Sequence, residues 1–427
     1  MASATVSVAD ICTAAKRASR ALAMCDTAVK DAALHAIARE LRAGVQEILE
    51  ANEQDMRAGS EAGLQDALLD RLRLDESRVQ AIAEGVEKVA SLPDPVGEVL
   101  DGGRLANGLD LRRVRVPLGV VAVVYEARPN VTIDAAALCL KSGNAIVLRG
   151  SSTAAHSNAV LAGIASAAAV GAGLPEGCVG ILAGGGREQL AELSTQRDSV
   201  DLVIPRGGEG LKEALQAVAT VPVIYAASGN CHVYVDESAD LGDALAILMN
   251  AKTQRPGVCN AAETLLIHAR IAPRFLSLAL QALGAAGVLV RADERTLALA
   301  APGAQAAGVQ IEPAGEEDFA REFLAPIIAV GIVDSVQDAI DHVNRHGSGH
   351  SEAIITRDTA SARAFQLGVD AACVYVNAST RFTDGGEFGM GAEIGNSTQK
   401  LHARGPIGLR ELCTFKYLVE GDGHVRA

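Results

Sequence analysis

Short apolar runs that alternate with stretches of helical periodicity restrict the fold of this chain more than any other feature. The first run, residues 119–125 (GVVAVVY), is continuously apolar, which is typical of a strand covered on both faces of a parallel sheet. Strands are predicted at 119–125, 145–149, 179–182, 202–204, 264–268, 288–290, 327–330 and 353–355, and helices at 133–141, 160–172, 187–193 and 274–283. Because parallel strands need long crossovers, the alternation predicts right-handed βαβ units and an α/β fold of two lobes joined near residues 250–260.

Two further segments have other patterns. Residues 6–92 carry apolar residues at spacings of three and four, and are predicted as helices that end before Pro93. Residues 99–116 alternate polar and apolar side chains and contain the turn signals Gly102-Gly103 and Asn107-Gly108. That alternation predicts an antiparallel ribbon outside the main sheets.

Composition and charge exclude several classes of function. The 427 residues have a formal net charge of −14, contain 3% aromatic residues and lack tryptophan. These values argue against nucleic acid or an anionic membrane as a partner. The N-terminal residues lack the apolar core of a signal peptide, and the apolar runs are shorter than the roughly 20 residues of a membrane span. The eight cysteines are scattered without CxxC spacing, so we expect a cytoplasmic protein with reduced thiols.

Glycine-rich turns follow several predicted strands. Residues 149–152 (RGSS), 183–186 (AGGG) and 204–208 (IPRGG) each lie between a strand and a helix. Backbone N–H groups and the positive end of a helix dipole suit a phosphate-bearing cofactor at such turns. The candidate contacts are Arg149, Ser151, Gly207 and Gly208, with the charge of Arg206 beside them. The usual GxGxxG motif is absent, so glycines that only form turns are the alternative interpretation.

Cys259 is the candidate nucleophile among the cysteines. It lies in an irregular segment, residues 251–260 (AKTQRPGVCN), with Lys252 and Arg255 before it and a helix-like AAETL after it. Cations beside a loop that exposes the sulfur favour the thiolate. Cys139 and Cys373 lie in apolar segments instead, and are predicted to be packed, unreactive thiols.

Three other arrangements are weaker candidates. Cys231 adjoins His232, but neighbouring residues of a strand point to opposite faces. Residues 397–400 (STQK) fit the SxxK pattern of acyl-serine enzymes, but the partner motifs of that pattern are missing. His342, His346 and His350 have the spacing of metal ligands on a helix, but glycines at 347 and 349 interrupt that helix. We therefore predict no metal site.

Long stretches of the chain resemble the gamma-glutamyl phosphate reductase family, also called glutamate-5-semialdehyde dehydrogenases, of the aldehyde dehydrogenase superfamily. The stretches that carry the resemblance are 125–150, 204–208, 229–240, 252–266, 342–356 and 376–409. The last reads VNASTRFTDGGEFGMGAEIGNSTQKLHARGPIGL, in which Met390 and Asn396 are minor departures from the family pattern. The resemblance extends over essentially the whole chain.

The resemblance implies a cofactor lobe, a catalytic lobe and a β-ribbon used in oligomerisation. In this sequence it implies a cofactor-binding domain at 1–98 and 117–255, a catalytic domain at 256–400, and an oligomerisation ribbon and tail at 99–116 and 401–427. A homo-oligomer, a dimer or larger, is the implied assembly. The missing GxGxxG is also accounted for, because this superfamily binds its dinucleotide without that motif.

The family pattern also implies roles for individual residues. Cys259 matches the nucleophile, and Asn130 resembles the asparagine whose amide stabilises an oxyanion. Arg149 falls where the superfamily keeps a lysine at the adenosine ribose, and residues 207–208 fall in the turn that faces the pyrophosphate. Glu322 resembles the glutamate that holds the nicotinamide ribose.

The reaction implied by the resemblance is the NADPH-dependent reduction of L-glutamyl 5-phosphate to glutamate 5-semialdehyde, through a cysteine thioester, in proline biosynthesis. Aldehyde-oxidising members activate water with a glutamate in a Glu-Leu-Gly-Gly stretch, whereas the matching Ala227-Ser228-Gly229-Asn230 has no carboxylate. A thioester would then meet hydride instead of water, which favours reduction. The alternatives are a related oxidoreductase for another acyl or aldehyde substrate, and a non-catalytic scaffold of the same fold.

The implied substrate carries a carboxylate and a phosphate, so cations are expected near the nucleophile. Arg381 is the first candidate, followed by Arg128 and Arg255. His350 is a further candidate for substrate binding, with a packed, hydrogen-bonded histidine as its alternative. Because the acyl phosphate made by the preceding kinase is unstable, glutamate 5-kinase is the protein partner that the family suggests.

Overall fold

The computed structural model describes residues 7–182, 184–225, 228–300 and 308–426. The helices are α1 (Val8–Leu22), α2 (Thr27–Ala43), α3 (Val45–Glu61), α4 (Asp66–Leu72), α5 (Glu76–Ser91), α6 (Asn130–Lys141), α7 (Ala155–Gly171), α8 (Arg187–Ser194), α9 (Glu209–Val218), α10 (Leu241–Thr253), α11 (Ala272–Ala285), α12 (Glu294–Ala300), α13 (Val336–His346) and α14 (Thr359–Gly368). The strands are β1 (Val99–Arg104), β2 (Asp110–Pro117), β3 (Val120–Tyr125), β4 (Ala145–Arg149), β5 (Val179–Leu182), β6 (Leu202–Arg206), β7 (Cys231–Val235), β8 (Ala262–His268), β9 (Leu289–Ala292), β10 (Ile311–Pro313), β11 (Ile327–Val333), β12 (Ser351–Ile355), β13 (Cys373–Val376), β14 (Asn396–Ser397), β15 (Gly405–Pro406) and β16 (Cys413–Glu420).

The chain divides into two compact units. The first comprises residues 1–226, 389–395 and 407–427, and the second comprises residues 227–388 and 396–406. The predicted boundary at residue 255 is therefore corrected: β7 pairs with β8 and β12 in the sheet of the second unit, and α10 connects β7 to β8. Residues 389–395 and 407–409 also pack with the first unit, although the sequence placed 389–395 in the predicted catalytic domain.

The first unit contains a four-stranded parallel sheet with the order β5-β4-β3-β6. Every residue of β3 is buried, as its continuous valine-rich sequence predicts. Helix α6 connects β3 to β4, and α7 connects β4 to β5. The predicted βαβ alternation is confirmed here, although α6 begins at Asn130, three residues earlier than predicted.

The predicted ribbon is a three-stranded antiparallel sheet in the first unit, with the order β1-β2-β16. Strand β16 pairs with β2 from Cys413 opposite Pro117 to Glu420 opposite Asp110. The C-terminal tail is thus the partner of the ribbon, as the resemblance implied. Strand β16 forms one edge of this sheet.

The second unit contains a seven-stranded parallel sheet with the order β10-β9-β11-β8-β7-β12-β13. Its core includes Leu248 and Phe275, which pack with the buried faces of these strands. Residues 261–265, read from the sequence as helix-like, are instead a turn and the start of β8. Because β7, β8 and β12 are parallel neighbours, the residues just before each of them lie along the same edge of the sheet.

A segment of α7 and the preceding turn, residues 152–171, is apolar and long enough to span a membrane by length and composition, and 44% of its apolar window is buried. In the first unit it packs against α2, α3, α6 and β5, as a core helix does.

Candidate active site

Cys259 lies in the turn between α10 and β8 and is half-buried. All eight cysteines are free thiols, and those other than Cys259 and Cys25 are buried. Burial raises the pKa of the Cys12 and Cys178 thiols to about 11. Cys259 and Cys25 are therefore the thiols that a substrate could approach, and of these Cys259 has arginines beside it.

Backbone from the start of β7 approaches the Cys259 turn very closely. A Cβ atom at Gly229 would lie 1.4 Å from the carbonyl oxygen of Cys259 and 2.7 Å from its Cα. The Gly229 N–H donates to Oε1 of Glu322 at 2.6 Å. Residue 229 must therefore be glycine for the turn to hold this position, and the carboxylate of Glu322 lies beside the turn. Glu322, chosen from the family pattern, is thus placed near the candidate nucleophile, whereas Ala227 falls outside the described residues.

Arg381 is fixed against both flanks of the Cys259 turn. Its Nε donates to Oε1 of Gln254 at 2.9 Å, and its Nη1 donates to Oδ1 of Asn260. Asn260 is held in turn by Thr380, whose hydroxyl donates to the Asn260 carbonyl at 2.7 Å. The structure therefore places the guanidinium of Arg381 beside the Cys259 turn.

The charges around the turn are uneven. Arg255 is exposed and lies near Arg381. Burial lowers the pKa of the Arg381 guanidinium, and the charge of Arg255 lowers it further. Cys259 acts in the opposite direction and raises that pKa. Lys252, in contrast, is fully buried and its Nζ lies 2.5 Å from Oε2 of Glu263. Its charge is matched by that carboxylate, so the cations available to a thiolate or an anionic substrate are the two arginines.

His350 is a packed residue. It is 1% exposed, and its Nδ1 lies 2.8 Å from the hydroxyl of Ser351 and 3.8 Å from the sulfur of Cys231. Burial lowers the pKa of His350 to about 4, so the ring is neutral. The ring has almost no accessible surface, while its Nε2 has no hydrogen-bond partner among the described residues. The substrate contact therefore stays a prediction, with the packed histidine as its alternative.

Three further histidines of this unit, His232, His342 and His346, form a separate cluster. His232 is fully buried with its Nδ1 3.0 Å from Oε2 of Glu352, while the neighbouring Cys231 donates to the Cys259 carbonyl at 3.2 Å. Cys231 and His232 therefore have separate partners and do not form a thiolate–imidazole pair. His342 and His346 lie 4.6 Å apart on α13, and within the described residues no group of three His, Cys, Asp or Glu side chains could hold a metal ion.

Ser397 and Lys400 do not form a serine–lysine pair. The Ser397 hydroxyl accepts from the Gln399 N–H at 3.2 Å, and the Lys400 ammonium pairs with Asp370. The SxxK match is therefore a feature of local structure.

Asn130 begins α6 in the first unit. Its Nδ2 donates to Oδ2 of Asp134 at 2.9 Å, and the charge of Arg206 acts on Asp134. Arg128 is exposed two residues before this helix. Sequence reasoning assigned Asn130 and Arg128 but missed Asp134, for which the only signal is its position four residues after Asn130.

Arg149 lies at the carboxyl end of β4 with its guanidinium against the next turn of the sheet. Its Nη2 donates to the carbonyls of Gly185 and Gly186, the latter at 3.2 Å. Its Nε is buried without a hydrogen-bond partner, and no carboxylate pairs with it in the part of the chain that the structure describes. Burial lowers the pKa of this guanidinium. A half-buried guanidinium with no carboxylate beside it in the described residues fits an anionic group such as a nucleotide phosphate.

The three glycine turns differ in what their helices offer. At the start of α7, the N–H groups of His156 and Ser157 are already bonded to the carboxylate of Asp55, at 3.1 and 2.8 Å. The hydroxyl oxygen of Ser151 likewise accepts a hydrogen bond from the Thr153 N–H, at 3.2 Å. The expectation that all three helix starts face a ligand is therefore corrected for α7.

Gly207 and Gly208, before α9, lie beside Glu126. A Cβ at Gly207 would lie 2.8 Å from Cδ of Glu126, and the Gly208 N–H donates to Oε2 of Glu126 at 3.2 Å. Carboxylate oxygens are thus already bound where the family pattern places a pyrophosphate.

The chain has close relatives among known proteins. The aldehyde dehydrogenase family profile matches residues 1–297 and 314–416. Gamma-glutamyl phosphate reductase from Kineococcus radiotolerans is 55% identical over 97% of this chain and 95% of its own length, and that from Syntrophomonas wolfei is 52% identical over 96% of both chains.

Solved structures agree. The crystal structure of gamma-glutamyl phosphate reductase from Thermotoga maritima matches with a TM-score of 0.95 and 45% identity, over 98% of this chain and 100% of that one. An acetylating aldehyde dehydrogenase from Geobacillus thermoglucosidasius, 19% identical over 98% of this chain and 97% of that one, shares the fold with a TM-score of 0.67. The chain belongs to the aldehyde dehydrogenase family and, within it, to the gamma-glutamyl phosphate reductases.

Proposed function

We propose that the chain reduces L-glutamyl 5-phosphate to L-glutamate 5-semialdehyde with release of phosphate, a step of proline biosynthesis. The observation that carries this proposal is the Cys259 turn, in which a half-buried thiol is held by Gly229 backbone and flanked by Arg381 and Arg255. This arrangement suits a nucleophile that meets an anionic substrate. Relatives that are 52% to 55% identical bear the name of this activity.

The covalent step takes place on Cys259. Its thiolate attacks the γ-carbonyl carbon, the bond to the phosphate oxygen breaks, and phosphate leaves with the bonding electrons, which gives a thioester. The nicotinamide, when bound, supplies a hydride. Asn130, by its place in the family pattern, donates its amide N–H to the oxyanion of the resulting thiohemiacetal. Cleavage of the carbon–sulfur bond then releases the aldehyde and restores the thiolate.

Water is a competing acceptor of the acyl group. The sequence at the position of the aldehyde-oxidising general base is Ala227, which cannot take a proton from water. The thioester therefore persists until reduction, which accounts for a reductase built on an aldehyde dehydrogenase fold.

NADP(H) is the proposed cofactor. The aldehyde dehydrogenase family uses a nicotinamide cofactor. The half-buried guanidinium of Arg149, with a buried, unpartnered Nε and no carboxylate beside it in the described residues, supports a ligand with an additional phosphate. Ser151 and the turn at 207–208 are the further proposed contacts, and Glu322 is the proposed contact of the nicotinamide ribose.

Substrate anions are assigned to arginines. Arg381 is the first choice because Gln254 and Asn260 fix its guanidinium beside Cys259, and Arg255 adds charge at the same turn. Arg128 remains a proposal that rests on the negative charge of the implied substrate alone. The proposed assembly is a homo-oligomer through the ribbon in the cytoplasm, and glutamate 5-kinase is the proposed supplier of the unstable substrate.

The reaction is best tested in reverse, because the acyl phosphate is short-lived. Purified protein is mixed with 1-pyrroline-5-carboxylate, which equilibrates with glutamate 5-semialdehyde, and with phosphate and either NADP or NAD, while absorbance of the reduced cofactor is followed. Phosphate-dependent reduction of NADP is expected, with NAD a poorer acceptor.

The nucleophile is tested in the same assay. Cys259→Ala is expected to abolish the signal, whereas Cys25→Ala, the other partly exposed thiol, is expected to keep it. Cofactor reduction that does not require phosphate would show that water resolves the thioester and would contradict the reductase mechanism. Reduction that needs simple aldehydes instead of the semialdehyde would contradict the proposed substrate.

A further inference from the structure

A carboxylate one helical turn away holds the side chain of Asn130. Nδ2 of Asn130 donates to Oδ2 of Asp134 at 2.9 Å. Both residues lie on α6, where positions four apart share one face. An ionised carboxylate can only accept hydrogen bonds, so this contact fixes the amide nitrogen, and not the amide oxygen, toward Asp134.

The amide has one further hydrogen on the same nitrogen. With one N–H bonded to Asp134, the second N–H of Asn130 points away from the carboxylate and remains a donor. A turn of the amide by 180° would place its oxygen in that position, and an oxygen lone pair would repel a developing oxyanion. The carboxylate therefore selects the useful orientation.

Arg206 favours the ionised form of Asp134. Burial raises the pKa of Asp134, and the Asn130 hydrogen bond and the charge of Arg206 oppose that rise, so the resulting pKa is about 6. Gly395, which belongs to the same unit, leaves room for the guanidinium, because a Cβ there would lie 2.6 Å from Nη1 of Arg206. The sequence placed Arg206 at a candidate cofactor turn, and in the structure its positive charge also stabilises the ionised form of Asp134.

We propose that Asp134 is a positioning residue for the reduction, which orients the Asn130 amide so that its second N–H can stabilise the oxyanion. The inference rests on the proposed function, because that function gives Asn130 its role. It adds a residue that neither the sequence pattern nor the glycine turns indicated.

The test compares two variants of similar shape in the reverse reaction. Asp134→Asn keeps an oxygen that can accept from Asn130, whereas Asp134→Leu fills the same volume without an acceptor. We expect Asp134→Leu to lower kcat by about 10-fold, with KM for the semialdehyde and for NADP changed less than about 3-fold, and Asp134→Asn to stay within about 3-fold of the original kcat. Cys139→Ala, at a buried site on the same helix, is the control for packing of α6 and is expected to keep kcat.

A double-mutant cycle with Asn130→Ala separates positioning from general damage. In the Asn130→Ala background, Asp134→Leu is expected to cause no further loss of kcat, and melting temperatures confirm that each variant is folded. An equal loss of kcat in both backgrounds, or an Asp134→Asn variant as slow as Asp134→Leu, would overturn the proposal. A chain of original sequence with no phosphate-dependent activity would instead refute the proposed function, and this inference with it, before any variant is compared.

Discussion

Gly229 and Cys259 approach each other more closely than any side chain on residue 229 would permit. Since a Cβ at Gly229 would lie 1.4 Å from the Cys259 carbonyl oxygen, Gly229→Ala must displace the turn that holds the thiol. A displacement of about 1 Å in a reacting group costs on the order of 100-fold in rate. We expect a loss of that size in kcat of the reverse reaction.

Gly257→Ala is the matched control for that substitution. Gly257 lies in the Cys259 turn itself, but a Cβ there would meet only the Leu324 carbonyl oxygen, at an ordinary 3.7 Å. Activity close to that of the original chain is expected. If both variants lost activity equally, glycine in this turn would matter for flexibility and not for the close approach of Gly229.

Because His350 is buried, the free energy of unfolding is expected to depend on pH. Its pKa is about 4 in the folded chain, where burial lowers it, against an ordinary value of about 6.5. Below pH 6.5 His350 is protonated in the unfolded chain, whereas in the folded chain it stays neutral until the pH falls to about 4. Its stabilising contribution is therefore complete above pH 6.5 and is lost as pH falls, by about 2 kcal/mol between pH 7 and pH 5.

Denaturant unfolding at several pH values measures that dependence. His350→Gln is expected to lose less stability than the original chain between pH 7 and pH 5. His424→Gln, at an exposed position in the tail, serves as the control and is expected to follow the original chain. Identical curves for all three proteins would contradict a buried neutral His350.

Single residues of the site were predictable to different degrees. Cys259 could be proposed from the sequence as the nucleophile, because its neighbouring cations and its irregular segment are local features. Gly229 could not, since its role depends on the parallel pairing of β7 with β8, which brings residues 30 positions apart into contact. Arg381 was chosen because the implied substrate is anionic, but the side chains that fix its guanidinium, Gln254 and Asn260, carry no local signal.

At the scale of elements, α7 begins on a carboxylate from another helix. Asp55 of α3 is 2% exposed and accepts four hydrogen bonds from residues 156 and 157, two from backbone N–H groups and two from side chains. Hydrogen bonds to a buried carboxylate are among the stronger ones in proteins. Asp55→Asn, which turns an NH₂ group toward these donors, is expected to lower the free energy of unfolding by about 3 kcal/mol.

Asp10→Asn is the comparison for that loss. Asp10 also caps a helix, α1, but it is exposed and bonds to Ser7. Its substitution is expected to cost less than about 1 kcal/mol in the same denaturant titration. An equal cost for the two variants would show that burial of Asp55 adds nothing to its capping.

Elements were predictable where one pattern dominates. The buried strands β3, β4 and β5 follow from continuous apolar runs, and their predicted bounds differ from the observed ones by at most one residue. The segment after Cys259 was misread as helix-like, because AAETL has high helix propensity. Burial of all of β8 between parallel neighbours overrides that propensity.

At the scale of the whole molecule, the division into units does not follow the order of the chain. Residues 389–395 and 407–427 return to the first unit after the second unit has formed its sheet. No local change of composition marks these crossings, so the sequence placed the boundary at the nucleophile turn instead. Strand pairing decides it: β7 belongs to the sheet of Cys259, and β16 belongs to the ribbon.

The ribbon leads to a prediction about assembly. Phe415, Tyr417 and Val419 are exposed, and because they alternate along β16 they share one face of an edge strand. Exposed apolar side chains on an unpaired edge suit association with a second copy of the chain. We expect sedimentation equilibrium to give at least the mass of a dimer.

Charges on that face should dissociate the assembly. Phe415→Glu with Val419→Glu is expected to give the mass of a monomer, because association would bury both carboxylates in an apolar contact. Thr414→Glu with Lys416→Glu adds charge to the opposite face of the same strand, where both residues are exposed, and is expected to leave the oligomer intact. Equal dissociation of the two double variants would assign the effect to net charge, and a monomeric original chain at micromolar concentration would remove the ribbon from any role in assembly.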